Sequence, residues 1–138
     1  MSTAIPPALR RLVLARAAGR CEYCGLSQAG QEATFHIDHV LPVKEQGTTN
    51  ADNLALACVS CSLRKAARLT AIDPETRQEV RLFNPRFDSW AESFRWQGPR
   101  LLGLTPVGRA TVAALDMNRP LIVAIRQEET ALGRHPPG

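Results

Sequence analysis

The chain has 138 residues and a formal net charge of +4. Hydrophobic residues make up 44% of it, and only seven residues are aromatic. This length accommodates one ordinary hydrophobic core but not two, so we expect one compact unit with an appendage. No window approaches the roughly 18 consecutive apolar residues of a membrane span, and the N-terminus lacks a signal pattern. We therefore expect a cytoplasmic protein without a membrane partner.

The basic residues are almost all arginine, which accounts for 15 of the 17. The planar guanidinium of arginine can bind a phosphate through two parallel hydrogen bonds, so this composition favours a nucleic acid as the partner. A small positive excess is also common on solvated surfaces, and the composition alone gives this interpretation only modest support.

The first predicted element is a helix within residues 1–20. Leu9, Leu12 and Val13 recur at helical spacing, the two prolines before them suit a first turn, and Gly19 suits the exit. The arginines on its other faces could contact phosphates or could simply be solvated.

The cysteines occur as two Cys-x-x-Cys pairs, at 21 and 24 and at 58 and 61. Two intervening residues allow both thiolates to bind one metal from a single tight turn, and Gly25 can adopt the left-handed conformation that such turns often need. In a reducing compartment this grouping predicts a structural zinc site rather than disulfides. A redox pair at Cys21 and Cys24 is an alternative, and four unrelated buried cysteines would not explain the paired spacing.

A strand-like segment between the cysteine pairs carries His36, Asp38 and His39. Alternation along a strand puts His36 and Asp38 on one face and His39 on the other, so Asp38 and His39 could serve one site only through a bend or bulge. A hard oxygen ligand beside a base that titrates near neutral pH is what metal-dependent phosphodiester hydrolysis requires.

A polar loop then leads to a second strand and a helix. Asn53 ends the loop with an amide that can bridge backbone groups across the hairpin, LALAC forms the strand, and VSCSLRKAARLTAI has helical composition. The order strand, loop, strand, helix predicts a ββα unit. Arg64, Lys65 and Arg68 on the helix are candidate phosphate contacts, although a solvated lysine would look the same.

The remaining sequence predicts a small β-hairpin followed by a pair of helices. The aromatic segment around Trp90 and Trp96 is interpreted as core of the hairpin rather than as a base-stacking surface. One helix is predicted to begin at Thr105 and to end at Asn118, and a second to follow Pro120.

Three segments are expected along the chain. Residues 1–71 would contain the N-terminal helix and the ββα core, and residues 72–132 would form a C-terminal extension packed on the same domain. Residues 133–138 would be a disordered tail.

The segments CEYC, HIDHVLP, NADNLALAC and CVSCSLRK resemble the zinc-containing branch of the HNH endonucleases. The resemblance covers about residues 21–66 and implies an α+β fold with a ββα-metal, treble-clef-like core. LFNPRFDSWAESFRW and GLTPVGRATVAALDMNRPL resemble the C-terminal part of a bacterial HNH subfamily whose biological role is unassigned. The implied activity is DNA endonuclease, with RNA not excluded as a substrate and no small-molecule cofactor.

The resemblance also implies roles for individual residues. His39 would be the general base, Asp38 a ligand of a catalytic magnesium or manganese ion, and Asn53 the residue that holds His39 in its working orientation. Structural zinc would be bound by the four cysteines, Cys21, Cys24, Cys58 and Cys61.

Ser62 occupies the position at which similar members carry a His or Asn metal ligand. Because serine is a poorer ligand, His36 could act in its place, or Ser62 could act through its hydroxyl or a water. The alternative is a zinc-stabilised nucleic-acid-binding module in which this substitution has abolished catalysis.

Overall fold

The computed structural model describes residues 4–138. Its helices and strands follow in the order α1 (Pro7–Arg16), β1 (His36–His39), β2 (Leu54–Ala57), α2 (Val59–Lys65), β3 (Thr70–Ile72), β4 (Glu79–Arg81), α3 (Trp90–Ser93), β5 (Phe94–Gln97), β6 (Arg100–Gly103), α4 (Pro106–Ala114) and α5 (Pro120–Ala131). The strands pair as the antiparallel hairpins β1–β2, β3–β4 and β5–β6. This mixture of helices and small hairpins confirms the α+β class.

The chain divides into two compact units. The first comprises the chain up to Arg68 together with Asn84–Phe87, and the second comprises Leu69–Phe83 and Asp88–Gly138. Within residues 4–138, none of the helices combines the length and the hydropathy needed to cross a bilayer.

In the first unit, α1 packs against the buried strand β2. Pro7 occupies the first turn of α1, and Val13 is its buried residue. Arg16 at the end of the helix donates hydrogen bonds to the carbonyl oxygens of Ala51, at 2.9 Å, and Leu54, at 2.7 Å. The helix is therefore joined to the loop and strand that precede the second cysteine pair.

Helix α2 is shorter than the sequence predicts. It begins after Cys58 and ends at Lys65, because Ala66 has a φ of +47°. The predicted helix continued to residue 72, but Thr70–Ile72 instead pairs with Glu79–Arg81. The β-branched side chains of this segment suit an extended strand, and the pairing outweighs the helical composition.

The second unit is built around an aromatic core and an acidic turn. The rings of Phe83 and Phe94 pack edge to face with centroids 5.0 Å apart, and those of Trp90 and Trp96 lie 5.4 Å apart. The turn between β3 and β4 is organised by Asp73, which is fully buried.

Two residues of the predicted tail, Arg134 and His135, have side-chain partners in the structure, and the disorder of residues 133–138 stays a prediction. Arg134 forms an ion pair with Glu129 at 2.7 Å. The His135 ring lies edge-on to Trp96 at 4.6 Å and is hydrogen-bonded through Nε2 to the carbonyl oxygen of Gly98 at 2.9 Å. These two residues therefore have a charged partner and an aromatic partner in the second unit.

Candidate functional site

The four cysteines form a buried cluster in the first unit. Their Sγ atoms all lie within 4.8 Å of one another, and Sγ of Cys24 is 3.7 Å from Sγ of Cys58. Tetrahedral zinc with Zn–S bonds of about 2.3 Å requires sulfurs about 3.8 Å apart. The cluster can therefore hold a metal ion such as zinc. Among residues 4–138, this cluster is the one group of three or more His, Cys, Asp or Glu side chains whose ligand atoms lie close enough together to hold a metal ion.

The local backbone prepares these thiols for a cation. The amides of Cys24 and Cys61 donate to Sγ of Cys21 and Cys58, each at 3.4 Å, and Gly25 has a φ of +79°. Burial raises the pKa of Cys21, whereas hydrogen bonds from the neighbouring thiols lower the pKa of Cys58. Several thiolates can share this buried space only if a cation balances their charge.

Asp38 contacts one residue of the first cysteine turn and one residue of α2. Its side chain is 9% exposed, and its Oδ2 accepts a hydrogen bond from the Tyr23 hydroxyl at 2.8 Å. The same oxygen is 3.2 Å from Nζ of Lys65. Burial raises the pKa of Asp38, and the charge of Lys65 and the Tyr23 hydrogen bond partly counteract this rise. The carboxylate is held by two fixed donors.

Lys65 does not have the surface position that a phosphate contact requires. Its side chain is only 2% exposed, and its ammonium donates to the carbonyl oxygen of His39 at 3.1 Å besides pairing with Asp38. A buried ammonium with two protein partners stabilises the interior rather than binding a ligand outside it. The phosphate role of Lys65 stays a prediction that its buried position does not support, whereas Arg64 and Arg68 are both exposed.

Two residues of β1 face two residues of α2. His36 and Asp38 share one face of the strand, and Ser62 and Lys65, three positions apart, share one face of the helix. Nδ1 of His36 is hydrogen-bonded to Oγ of Ser62 at 2.9 Å. The structure thus brings His36 to Ser62 and Asp38 to Lys65 along the same strand–helix contact.

His39 is the last residue of β1, and the backbone bends at Val40 and Leu41 directly after it. The ladder is regular from His36↔Ala57 to His39↔Leu54, so the side chain of His39 lies on the face opposite to that of Asp38. Nε2 of His39 is hydrogen-bonded to Oγ1 of Thr49 at 3.0 Å.

Asn53 closes the loop that follows His39. Its Oδ1 accepts from the amide of Leu41 at 2.8 Å, and its Nδ2 donates to the carbonyl oxygens of Leu41, at 3.0 Å, and Thr48, at 2.9 Å. A Cβ at Gly47 would overlap the Leu41 carbonyl, so the loop can pack this closely only with glycine there. Thr49, the partner of His39, lies in the same loop.

A second polar contact supports the turn between the first two cysteines. Oε2 of Glu22 accepts from the amide of Leu56 in β2 at 2.8 Å, and the Glu22 amide donates to the Leu56 carbonyl at 2.8 Å. Glu22 also forms an ion pair with Arg86, which belongs to the segment of the chain that returns to the first unit. Neither contact could be predicted from the sequence, because the partners of Glu22 are distant in the chain.

Tyr23 and Thr49 were not predicted from the sequence. Tyr23 could have been suspected because a tyrosine enclosed by two metal ligands must find a partner for its hydroxyl. Thr49 is one of several small polar residues in its loop, and nothing in the sequence distinguishes it.

Residues 21–68 match the family model described as HNH endonuclease. This segment, which we call the HNH domain below, is similar to that family. The match spans the cysteine cluster, the β1–β2 hairpin and α2, and it indicates a nuclease or nucleic-acid-binding function. A comparison with curated protein sequences gives no significant match.

Proposed function

We propose that the protein is a DNA endonuclease that hydrolyses phosphodiester bonds with one catalytic divalent cation and with His39 as the general base. The observation that carries this proposal is that two neighbouring side chains at the end of β1 in the HNH domain are each held by protein partners: the Asp38 carboxylate by Tyr23 and Lys65, and the His39 imidazole by Thr49. Both groups are oriented before a substrate arrives, as general acid–base chemistry requires.

His39 would take the proton from the attacking water. When Thr49 accepts a hydrogen bond from Nε2–H, the lone pair is on Nδ1, which can then accept a proton. Asn53 would fix the loop that carries Thr49 by bonding Leu41 and Thr48, and so would hold the base indirectly. This is the positioning role that the resemblance implies for Asn53.

Asp38, Ser62 and His36 would hold the catalytic magnesium or manganese ion. Carboxylate and hydroxyl oxygens are donors that these hard cations prefer, which is a chemical fit. Within the described residues Oδ1 of Asp38 accepts no hydrogen bond, whereas Oδ2 accepts two. When bound, the cation would stabilise the charge that develops on the phosphate and on the leaving oxygen.

The cysteine cluster would bind structural zinc and take no part in the chemistry. All four thiols are buried, which supports zinc over a thiol redox function. Free thiols fit a reducing compartment, and we propose a cytoplasmic location on that basis.

Arg64 and Arg68 would contact the phosphate backbone of DNA. Both are exposed, Arg64 in the last turn of α2 and Arg68 just beyond it, and a guanidinium can bind phosphate through two parallel hydrogen bonds. RNA offers the same phosphate chemistry and is retained as a second substrate class. Packing of the C-terminal extension on the HNH domain stays a prediction.

A catalytically inactive nucleic-acid-binding module is the second candidate, and one observation favours it. Ser62 is hydrogen-bonded to His36, so the position of the expected His or Asn ligand carries a hydroxyl that already has a protein partner. Such a module would bind DNA with a strong salt dependence and would cut under no divalent cation.

Nicking of supercoiled plasmid by zinc-loaded protein separates these two functions. With magnesium or manganese added, the wild type should convert the plasmid to open circles, and His39→Ala should not. Retained zinc and retained plasmid binding in His39→Ala would show that the variant is folded. Plasmid binding without nicking by the wild type, with every divalent cation tried, would favour the binding module instead.

A further inference from the structure

Tyr23 links the cysteine cluster to Asp38. It lies between Cys21 and Cys24, its side chain is 1% exposed, and its hydroxyl donates to Oδ2 of Asp38 at 2.8 Å. The same short turn therefore contains two predicted zinc ligands and a donor to the carboxylate of the proposed catalytic site. Movement of this turn would be transmitted to Asp38 through one hydrogen bond.

Both fixed donors act on the same oxygen of Asp38. Tyr23 and Lys65 contact Oδ2, while Oδ1 accepts no hydrogen bond from any residue that the structure describes. Two anchors on one oxygen restrict rotation of the carboxylate about its χ2 bond. Oδ1 of Asp38 is therefore held in one fixed orientation.

We propose that Tyr23 is a positioning residue, which uses the cysteine turn as a rigid support to hold Oδ1 of Asp38 toward the catalytic cation. This inference rests on the proposed function, because it assumes that Asp38 binds that cation. It goes further because it gives a role in cation affinity to Tyr23, which is not one of the proposed catalytic residues His39, Asn53 and Asp38. Donors to a metal-binding carboxylate commonly affect metal affinity or activity by about 10- to 100-fold.

A purely structural role for the hydroxyl makes a different prediction. A buried tyrosine needs a hydrogen-bond partner, and any acceptor would meet that need. If Asp38 were only such an acceptor, removal of the hydroxyl would change stability but would leave cation affinity unaltered. The two roles are therefore separated by a binding measurement rather than by activity.

The test compares zinc-loaded wild type with Tyr23→Phe, Glu22→Gln and Asp38→Ala. Tyr23→Phe removes one oxygen and keeps the ring. Glu22→Gln is the matched control, because it weakens buried contacts in the same turn without touching Asp38. Manganese binding is measured by electron paramagnetic resonance of the free ion, and zinc content and thermal unfolding are measured on the same samples.

We expect Tyr23→Phe to keep its full zinc content and to bind manganese about tenfold more weakly than wild type. Glu22→Gln should lower the melting temperature but change manganese affinity less than about twofold, within the scatter expected for a site that it does not contact.

Wild-type affinity in Tyr23→Phe would overturn the positioning role, provided that Asp38→Ala abolishes manganese binding. The proposed function would survive that result. Equal manganese binding by wild type and Asp38→Ala would instead overturn the proposed cation site, and the role of Tyr23 with it. An equal loss in Tyr23→Phe and Glu22→Gln would also refute the positioning role, because it would reflect a general weakening of the turn.

Discussion

Lys65→Met should strongly destabilise the first unit. The substitution keeps a long, unbranched side chain in place but leaves the Asp38 carboxylate without its ammonium partner. The side chain of Lys65 is only 2% exposed and that of Asp38 only 9% exposed, so water cannot replace the lost partner fully. Removing one partner of a buried ion pair typically costs about 3–5 kcal/mol. Because Asp38 keeps its hydrogen bond from Tyr23 and some contact with water, we expect the lower end, about 3 kcal/mol.

That cost is large compared with the roughly 5–15 kcal/mol by which domains are stable. For a domain of this size about 1 kcal/mol corresponds to roughly 4–8 °C, so the melting temperature should fall by roughly 12–24 °C. Urea unfolding followed by far-UV circular dichroism, at one fixed concentration of free zinc, measures the change. Arg64→Met, on an exposed position of the same helix, is the matched control and should cost less than about 0.5 kcal/mol.

A double-mutant cycle with Asp38→Asn identifies the cause. If the pair is the source of the cost, Lys65→Met combined with Asp38→Asn should cost about 2 kcal/mol less than the sum of the single variants. Strict additivity, or a cost for Lys65→Met no larger than that of Arg64→Met, would refute the account of Lys65 as a buried partner of Asp38.

Three further predictions concern other contacts. Ser62→Asn should speed magnesium-dependent plasmid nicking by roughly tenfold, because an amide oxygen is a better ligand than a hydroxyl; an unchanged rate would remove Ser62 from the cation site. Thr49→Val should lower the nicking rate by about tenfold at constant plasmid affinity, because His39 loses the partner of Nε2; an unchanged rate would show that this contact is dispensable. Hydrogen bonds from Arg109 lower the pKa of Asp73 in the folded protein. The ionised Asp73 therefore stabilises the folded state above about pH 4, and this stabilisation is lost as the pH falls through the lower pKa of the folded state. Asp73→Asn should accordingly lower the melting temperature at pH 7, monitored by tryptophan fluorescence, and the difference from wild type should shrink below about pH 4; a difference independent of pH would contradict this.

The order of elements in the HNH domain could be predicted because its signals are local. Paired cysteines, a strand with alternating side chains and a helix after the second pair are each encoded within a few residues. The HNH resemblance is confirmed for residues 21–68. The bonds that Asn53 makes across the loop also follow from a local property, the capacity of its amide to bridge backbone groups.

The sequence could not predict features that depend on residues distant in the chain. A lysine in a basic helical segment looks like a surface residue, and only the folded hairpin shows that its ammonium meets Asp38 and the His39 carbonyl. Helix α2 was predicted too long because strand pairing between residues 70–72 and 79–81 has no local signature. The contacts of Arg134 with Glu129 and of His135 with Trp96 could not be predicted, because they depend on tertiary structure.

The most direct test of the central claim is the single-turnover cleavage of a labelled DNA duplex by zinc-loaded wild type and His39→Ala, with magnesium present. A general base typically contributes about 10²–10⁴-fold, so His39→Ala should cleave at least about a hundredfold more slowly while it binds the duplex equally well. Cleavage by His39→Ala at the wild-type rate would contradict the assignment of His39 as the base that activates water.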